Sequence, residues 1–232
     1  MLPITKRFHS IVEEGFKSVF KRHGYRCKGL RCAQGDTIVR VAEIEKATWC
    51  YEDAVGFSVG LGVYVRGRAT WSGWPEGEKP FPAAIQGAFR TDLDALNSEP
   101  NRHRYDLESK DRKAKEHDRL LIEQLAYEVE CYAIPFLGRF QTIEDIIEYL
   151  EAVPNVHPIP SHPDFPFSRV FELASLYSLA GDERKSIECL ERAVQLAEAQ
   201  GASYFIEAYR KLLQQKLRGP RVDQPGVQLE CE

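Results

Sequence analysis

Residues 56–65 form an apolar run with a period of two, and this run constrains the fold more than any other part of the 232-residue chain. One alternating set is entirely apolar: Phe57, Val59, Leu61, Val63 and Val65. The other set is almost without side chains: Gly56, Ser58, Gly60, Gly62 and Tyr64. This alternation predicts a β-strand, and glycines inside a strand usually mark the close approach of another element. We therefore expect a helix, and first of all the N-terminal one, to press against one side of the sheet.

Two patterns before this strand predict a helix and a hairpin. Residues 4–23 place their apolar side chains on one helical face, and Gly24 follows as a stop signal. Residues 25–33 and 37–46 are strand-like, and Gln34-Gly35-Asp36 provides a compact turn between them.

The pattern after this strand predicts one more strand and a long helix. Residues 84–93 are the further predicted strand, whereas residues 97–111 are polar and irregular. A long helix is expected over residues 112–133, and Pro135 is expected to end it. The fold class predicted from these elements is α+β, with an antiparallel sheet of about four strands packed by helices.

Four short motifs add a family resemblance to this reading. They are Gly24-Tyr25, residues 38–46, residues 56–64, and Ile134-Pro135-Phe136 followed by Arg139-Phe140-Gln141-Thr142. In this order they resemble a bacterial domain-of-unknown-function family, number 4304, over roughly residues 4–152. The resemblance implies a fold type and a bacterial source. It implies no established activity, so it brings no catalytic residues.

A second resemblance lies near the C-terminus. Its apolar and small positions are Val170, Leu173, Ala174, Tyr177, Ser186, Leu190 and Ala193, with Ala180-Gly181-Asp182 at a turn. They resemble one tetratricopeptide unit, in which small residues let two antiparallel helices approach closely. Residues 203–217 are the expected covering helix. A single repeat cannot bury its own core, so we expect it to dock on the preceding domain.

Prolines and composition predict the domain limits. Residues 1–152 form the α+β domain, and the proline-rich residues 153–167 form a connector. Residues 168–218 form the tetratricopeptide-like helical subdomain, and residues 219–232 form a mobile tail.

Composition argues against several classes of partner. The net charge of -4 provides no basic footprint for nucleic acid or an anionic membrane. No apolar run approaches the roughly 20 residues that cross a bilayer, and no signal peptide is recognisable. We expect a cytoplasmic protein whose six cysteines are reduced, buried thiols.

Motifs for metal, cofactor or catalytic chemistry are weak, so no residue is assigned to any of them. The pairs Cys27-x4-Cys32 and His157-x4-His162 lack the usual spacing of zinc ligands. Glu43-Ile44-Glu45-Lys46 lacks the acid two residues before the lysine that restriction-type nucleases use, and we interpret it as an exposed edge of mixed charge. Catalytic groups that meet only in space stay open.

Two groups of residues are candidates for binding a partner. The first lies in the Gly/Pro loop of residues 66–75 and comprises Arg66, Arg68, Trp71 and Trp74. Trp and Arg are enriched in binding hot spots. The favoured alternative is that the tryptophans cap an open end of the sheet, because an exposed Trp pair promotes aggregation. The second comprises Tyr177, Tyr204 and Tyr209 in the helical unit, for which core packing is the alternative.

These observations favour a non-enzymatic, cytoplasmic protein-binding module. One concrete version is a bacterial immunity or antitoxin-like protein that covers the surface of its partner protein. Two alternatives are a hydrolase or nuclease with an unrecognised site, and a homo-oligomeric structural module.

Overall fold

A computed structural model describes residues 3–47, 53–73, 81–97, 105–108, 113–152 and 166–218. The chain divides into two compact units, Met1–Phe165 and Pro166–Glu232, and each is described by itself. The predicted connector, except for its last two residues, and the predicted mobile tail lie outside the described residues. The predicted domain limits therefore stay predictions.

In the described part of the first unit, six strands form one antiparallel sheet. They are β1 (Arg26–Lys28), β2 (Arg31–Gln34), β3 (Ile38–Lys46), β4 (Ala54–Val65), β5 (Phe89–Asp92) and β6 (Tyr105–Glu108). The order is β1-β2-β3-β4-β5, and β6 also pairs with β4. The predicted α+β class is confirmed, with a sheet larger than the expected four strands.

The described part of the first unit also contains seven α-helices and three further helical turns. The described α-helices of the first unit are α1 (Ile4–Ile11), α2 (Ser18–Arg22), α3 (Arg68–Trp71), α4 (Leu93–Leu96), α5 (Ala114–Glu128), α6 (Ile134–Gly138) and α7 (Ile143–Ala152). Two π-helical turns, Val12–Lys17 and Val129–Ala133, join α1 to α2 and α5 to α6. A 3₁₀ turn spans Ala84–Gln86. The first predicted helix is thus continuous, and Gly24 follows it at φ +80° as a left-handed stop.

The apolar face of β4 packs against the helical layer. The Phe8 ring of α1 meets the Phe57 ring edge to face, with centroids 5.4 Å apart. Phe57 also stacks on Tyr105 of β6 at 4.9 Å, and Phe89 of β5 contacts Phe140 at 4.8 Å. Such ring pairs add to the free energy of burying the rings themselves. The expectation that the first helix packs against the sheet is confirmed on this face.

The glycine face of β4 is approached by a different element. A Cβ atom on Gly62 would lie 2.4 Å from the carbonyl oxygen of Ala84 and 3.0 Å from its Cα. The 3₁₀ turn, rather than a helix, therefore occupies the space that the absent side chain leaves. Around this contact is a small apolar cluster of Ala33, Val39, Val41, Tyr64, Ala84 and Phe81.

Three predicted elements differ from the observed ones. Within residues 84–93 only β5 is a strand, because Ala84–Gln86 turns over the glycine face. Residues 97–111 contain β6, which is too short for its alternation of buried and exposed residues to stand out. Pro135 does not end the long helix but lies in the first turn of α6, directly after a π turn. The wider hydrogen bonding of that turn accommodates a residue without an N–H.

The first predicted hairpin arm is itself a hairpin. Residues 25–33 contain β1 and all but the last residue of β2, and the two strands pair with Cys27 opposite Cys32. The two cysteines form a disulfide, so the expectation of reduced thiols is wrong for this pair. On a single extended strand they would have been about 16 Å apart, which is why the sequence pattern missed the bond. The turn between β2 and β3 lies where the sequence predicted it, with Gln34 ending β2 and Gly35 and Asp36 between the two strands.

The described part of the second unit contains three helices, α8 (Pro166–Leu179), α9 (Glu183–Ala199) and α10 (Ser203–Leu217). The Ser186 hydroxyl of α9 donates to the Ala174 carbonyl of α8 at 2.8 Å, and both residues are buried. The Asp182 carboxylate caps α9 by accepting from the Lys185 amide. Small residues therefore bring α8 and α9 together as the sequence predicted.

A buried arginine ties the N-terminal helix to two other elements. Arg7 is 2% exposed, and its guanidinium donates to the Asp118 carboxylate of α5 at 2.7–3.1 Å. It also donates to the Glu108 carbonyl of β6 at 2.6 Å. A buried charge is tolerated only with such partners, so Arg7 locks α1 in place.

We predict that Gly62→Ala lowers the free energy of unfolding by roughly 1–3 kcal/mol, because the new methyl group collides with the backbone of Ala84. Urea unfolding followed by circular dichroism measures the change. Gly138→Ala is the matched control, since no atom lies within 4 Å of its added Cβ. Equal stability of the two variants would contradict the close packing on the glycine face.

We also predict that Arg7→Ala lowers the free energy of unfolding by about 3 kcal/mol or more, because it leaves the partly buried Asp118 without its counter-charge. The control is Arg119→Ala, which breaks the exposed pair with Glu123 and should cost about 0.5 kcal/mol or less. The same unfolding assay applies, and similar losses in both variants would refute the assigned role of Arg7.

Candidate functional site

The glycine face carries a set of charged side chains beside the apolar cluster. In the sheet register, Gly60 lies opposite Glu43 of β3 and Asp92 of β5, and Gly62 lies opposite Arg90. Directly paired residues project to the same face of a sheet. With Arg31 and Glu45 they form what we call the charged cluster: Arg31, Glu43, Glu45, Arg90 and Asp92.

Arg90 lies at the centre of the charged cluster. Its Nη2 donates to Glu45 Oε2 at 2.7 Å and to Asp92 Oδ1 at 3.0 Å. The side chain is 10% exposed, and its buried Nε has no hydrogen-bond partner among the described residues. A Cβ on Gly60 would lie 2.9 Å from Glu45 Oε1 and 3.2 Å from Arg90 Nε. The glycine at position 60 therefore makes room for this ion pair.

Glu43 has a structural role within the cluster. Its Oε1 accepts from Arg31 Nε at 2.6 Å, and its Oε2 accepts from the Ala84 amide at 3.1 Å. Glu43 thereby ties β2 and the 3₁₀ turn to β3, and its side chain is 15% exposed. The interpretation of residues 43–46 as an exposed edge is wrong at Glu43, which pairs with β2 on one side and β4 on the other. Glu45 and Lys46 extend past the register with β2 and pair with β4 alone.

The surroundings of Glu45 shift the pKa of its carboxyl group. Burial is the largest influence and raises the pKa of the Glu45 carboxyl above its ordinary value of 4.5. Arg90 opposes this shift, whereas Asp92 and Glu43 add to it. Three carboxylates against two guanidinium groups leave the cluster one net negative charge. The arrangement can accept hydrogen bonds from a cationic or amide group, or exchange a proton at Glu45.

Metal binding receives no support from this geometry. Within the described ranges, no three His, Cys, Asp or Glu side chains are grouped so that they could hold a metal ion.

The predicted loop residues are used partly for anchoring. Arg66 Nε donates to the Asp36 carbonyl, and Arg68 Nη2 donates to the Gln86 carbonyl, both at 2.6 Å. Trp71 ends α3 and is half-buried, while Trp74 lies outside the described residues. The two arginines thus hold their loop against the β2–β3 turn and the 3₁₀ turn. A partner-binding role for these four residues stays a prediction.

The three predicted tyrosines differ in exposure. Tyr177 is buried, with the Lys185 ammonium 4.8 Å from its ring centroid. Tyr209 is also buried and stacks on Phe171 at 4.2 Å; burial raises its pKa. Tyr204 is 70% exposed and rests against Phe205, with centroids 5.4 Å apart. Of these three tyrosines, Tyr204 is therefore the one whose side chain is mostly exposed.

The sequence pattern did not bring Arg90 and Asp92 into the site. They lie on a four-residue strand whose pairing with β4 no local pattern specifies. The available signal was the pair of glycines at positions 60 and 62, which marks space above the strand but not what fills it.

The raised pKa of Glu45 yields a prediction about pH. The folded state keeps the Glu45 proton to higher pH than the unfolded chain does. The contribution of this residue to stability is therefore complete below the ordinary pKa of 4.5 and is lost as pH rises through the raised pKa of the folded state. The difference in unfolding free energy, Glu45→Gln minus wild type, should therefore increase as pH rises from about 4 to about 8. Urea unfolding at each pH measures this difference. Glu144→Gln, an exposed substitution on α7, is the control. Parallel curves for wild type and Glu45→Gln would exclude the shift.

Comparison with known proteins adds no identity to this geometry. No protein-family model matches the chain, and neither the curated proteins nor the solved structures contain a match. Among the described residues, no helix combines the length and apolar character that crossing a bilayer requires. The resemblances to family 4304 and to a tetratricopeptide unit therefore stay predictions.

Proposed function

We propose that this chain is a non-enzymatic bacterial protein-binding module, and specifically an immunity or antitoxin-like protein that covers its partner's surface. The observation that carries the proposal is the exposed aromatic ring of Tyr204 on α10. Tyr204 is 70% exposed, whereas Tyr209 is the buried residue of this helix. Terminal helices of stacked repeats normally present a polar outer face, so an exposed tyrosine there suits a surface that is covered by a partner.

An exposed stripe runs along α10. Tyr204, Ala208, Lys211 and Gln215 recur at helical spacing, and all four are exposed; we call them the outer stripe. Contact with Phe205 limits the freedom of the Tyr204 ring, so ordering that ring on binding costs little entropy. Tyrosine is also among the residues most enriched in binding hot spots.

Charge indicates the chemistry of the partner. Residues 203–218 contain four basic residues, Arg210, Lys211, Lys216 and Arg218, against the single acid Glu207, which leaves +3. Arg210 pairs with Glu198 and Lys216 with Glu183, whereas Lys211 and Arg218 have no partner among the described residues. The outer stripe therefore suits an apolar patch that carries carboxylates at its border.

A hydrolase is the second candidate, and the charged cluster is the observation that favours it. Glu45 has a raised pKa and lies with Asp92 around one arginine, which is the kind of environment found at acid–base sites. However, the cluster's charges are largely satisfied by one another. Mutual satisfaction is typical of structural ion pairs, so we place binding first.

Affinity purification from the native host tests the proposed function. We expect the full-length chain to retain one protein in stoichiometric amount, and Tyr204→Ala to weaken that interaction roughly tenfold or more. Tyr127→Ala is the matched control, because Tyr127 is an exposed tyrosine on α5. For an immunity protein, the retained partner should arrest growth when expressed alone, and co-expression of this chain should restore growth.

Three results would contradict the proposal: capture of no protein at any salt concentration, equal weakening by both tyrosine substitutions, or hydrolytic activity that Glu45→Gln abolishes. Light scattering separates the remaining alternative. A homo-oligomer that Tyr204→Ala dissociates would assign the outer stripe to a second copy of the chain rather than to a different protein.

A further inference from the structure

We propose that Cys27 and Cys32 form a reversible dithiol–disulfide site that locks the edge hairpin of the sheet. The two cysteines are joined by a disulfide and belong neither to the charged cluster nor to the outer stripe. They lie on β1 and β2, and β1 is a three-residue strand at one end of the described strand order. The proposal does not depend on the proposed function.

The backbone alone places the two sulfurs together. Lys28 pairs with Arg31 across the two-residue loop Gly29-Leu30, and Gly29 has φ +59°. In such a hairpin the pair next to the loop-closing pair is a non-hydrogen-bonded one, where side chains approach most closely. Cys27 and Cys32 occupy that position. Forming or breaking their bond therefore requires no change of register.

Burial distinguishes the two thiols. Cys27 is partly exposed on the outer strand, whereas Cys32 on the neighbouring strand is fully buried. A small reagent meets Cys27 first, so Cys27 is the attacking residue and Cys32 the resolving one.

Charge around the hairpin favours this chemistry. Residues 15–34 contain six Lys or Arg residues and no Asp or Glu, and four of the six pair with glutamates elsewhere in the first unit. Arg26 and Lys28 flank Cys27, and neither has a partner among the described residues. Nearby cations favour the thiolate, which is the reactive form, and they attract an anionic reagent such as glutathione disulfide.

The exchange balances with glutathione disulfide as the oxidant. The Cys27 thiolate attacks one sulfur of glutathione disulfide. The S–S bond of glutathione disulfide breaks, Cys27 is joined to one glutathione, and the other leaves as a thiolate. Cys32 then gives up its proton, attacks the Cys27 sulfur and expels the second glutathione. Two electrons pass from the protein to the reagent, and the two protein protons end on two glutathione thiols. Reduction is the reverse sequence.

Intact-mass analysis of the full-length chain tests the proposal. The chain is equilibrated with glutathione buffers of increasing oxidised fraction and quenched with iodoacetamide. We expect a species with two fewer alkylated cysteines to rise with oxidised glutathione and to disappear again on addition of reduced glutathione. Cys27→Ser and Cys32→Ala should each abolish that species, whereas Cys131→Ser and Cys189→Ser, at the two free described cysteines, should retain it.

Limited trypsin digestion of wild type gives a readout that needs no substitution. Cleavage after Arg26 and Lys28 should be roughly tenfold or more slower in the oxidised chain, because the bond restrains local opening of the hairpin. Three outcomes would overturn the proposal: full alkylation at every glutathione ratio, survival of the two-thiol loss in Cys27→Ser, or a bond that reduced glutathione never opens. The last outcome would identify a permanent structural disulfide.

Discussion

The first unit depends on a strand that other parts of the chain approach from both faces. One face of β4 presents only large apolar side chains, and the helical layer packs on it through contacts such as Phe8 with Phe57. On the other face, Gly62 admits the backbone of Ala84, and Gly60 admits the ion pair of Arg90 with Glu45. A single methyl group at either glycine would displace a neighbour. The two glycines therefore determine both the position of the 3₁₀ turn and the assembly of the charged cluster.

The two candidate surfaces differ in how many of their charged and polar groups already have partners within the protein. In the charged cluster, each carboxylate has an arginine partner, and Glu43 also accepts a backbone amide. The outer stripe of α10 has an exposed tyrosine and a lysine without a described partner. A satisfied ionic cluster mainly stabilises its surroundings, whereas exposed aromatic surface gains free energy when a partner covers it. This contrast favours a binding function over a catalytic one.

The predictions succeeded where one local pattern dominates. Continuous helical spacing predicted the N-terminal helix, and strict alternation predicted β4. Failures came where a few residues depend on distant ones. β6 pairs only four residues with β4, and Pro135 is accommodated by a π turn that has no sequence signature. Of the site, the glycines and the presence of glutamates on β3 were visible in advance, but Arg90 and Asp92 were not.

The sequence by itself determined the α+β class, the two-faced character of β4 and the close approach of α8 and α9 through small residues. These features depend on periodicity and side-chain size, which neighbouring residues express locally. Tertiary structure alone decided that Cys27 lies opposite Cys32, that Arg90 lies over Gly60, and that Arg7 reaches Asp118. Each of these contacts joins separate elements, and strand register and helix packing set them through the combined burial of many residues, which no short segment encodes.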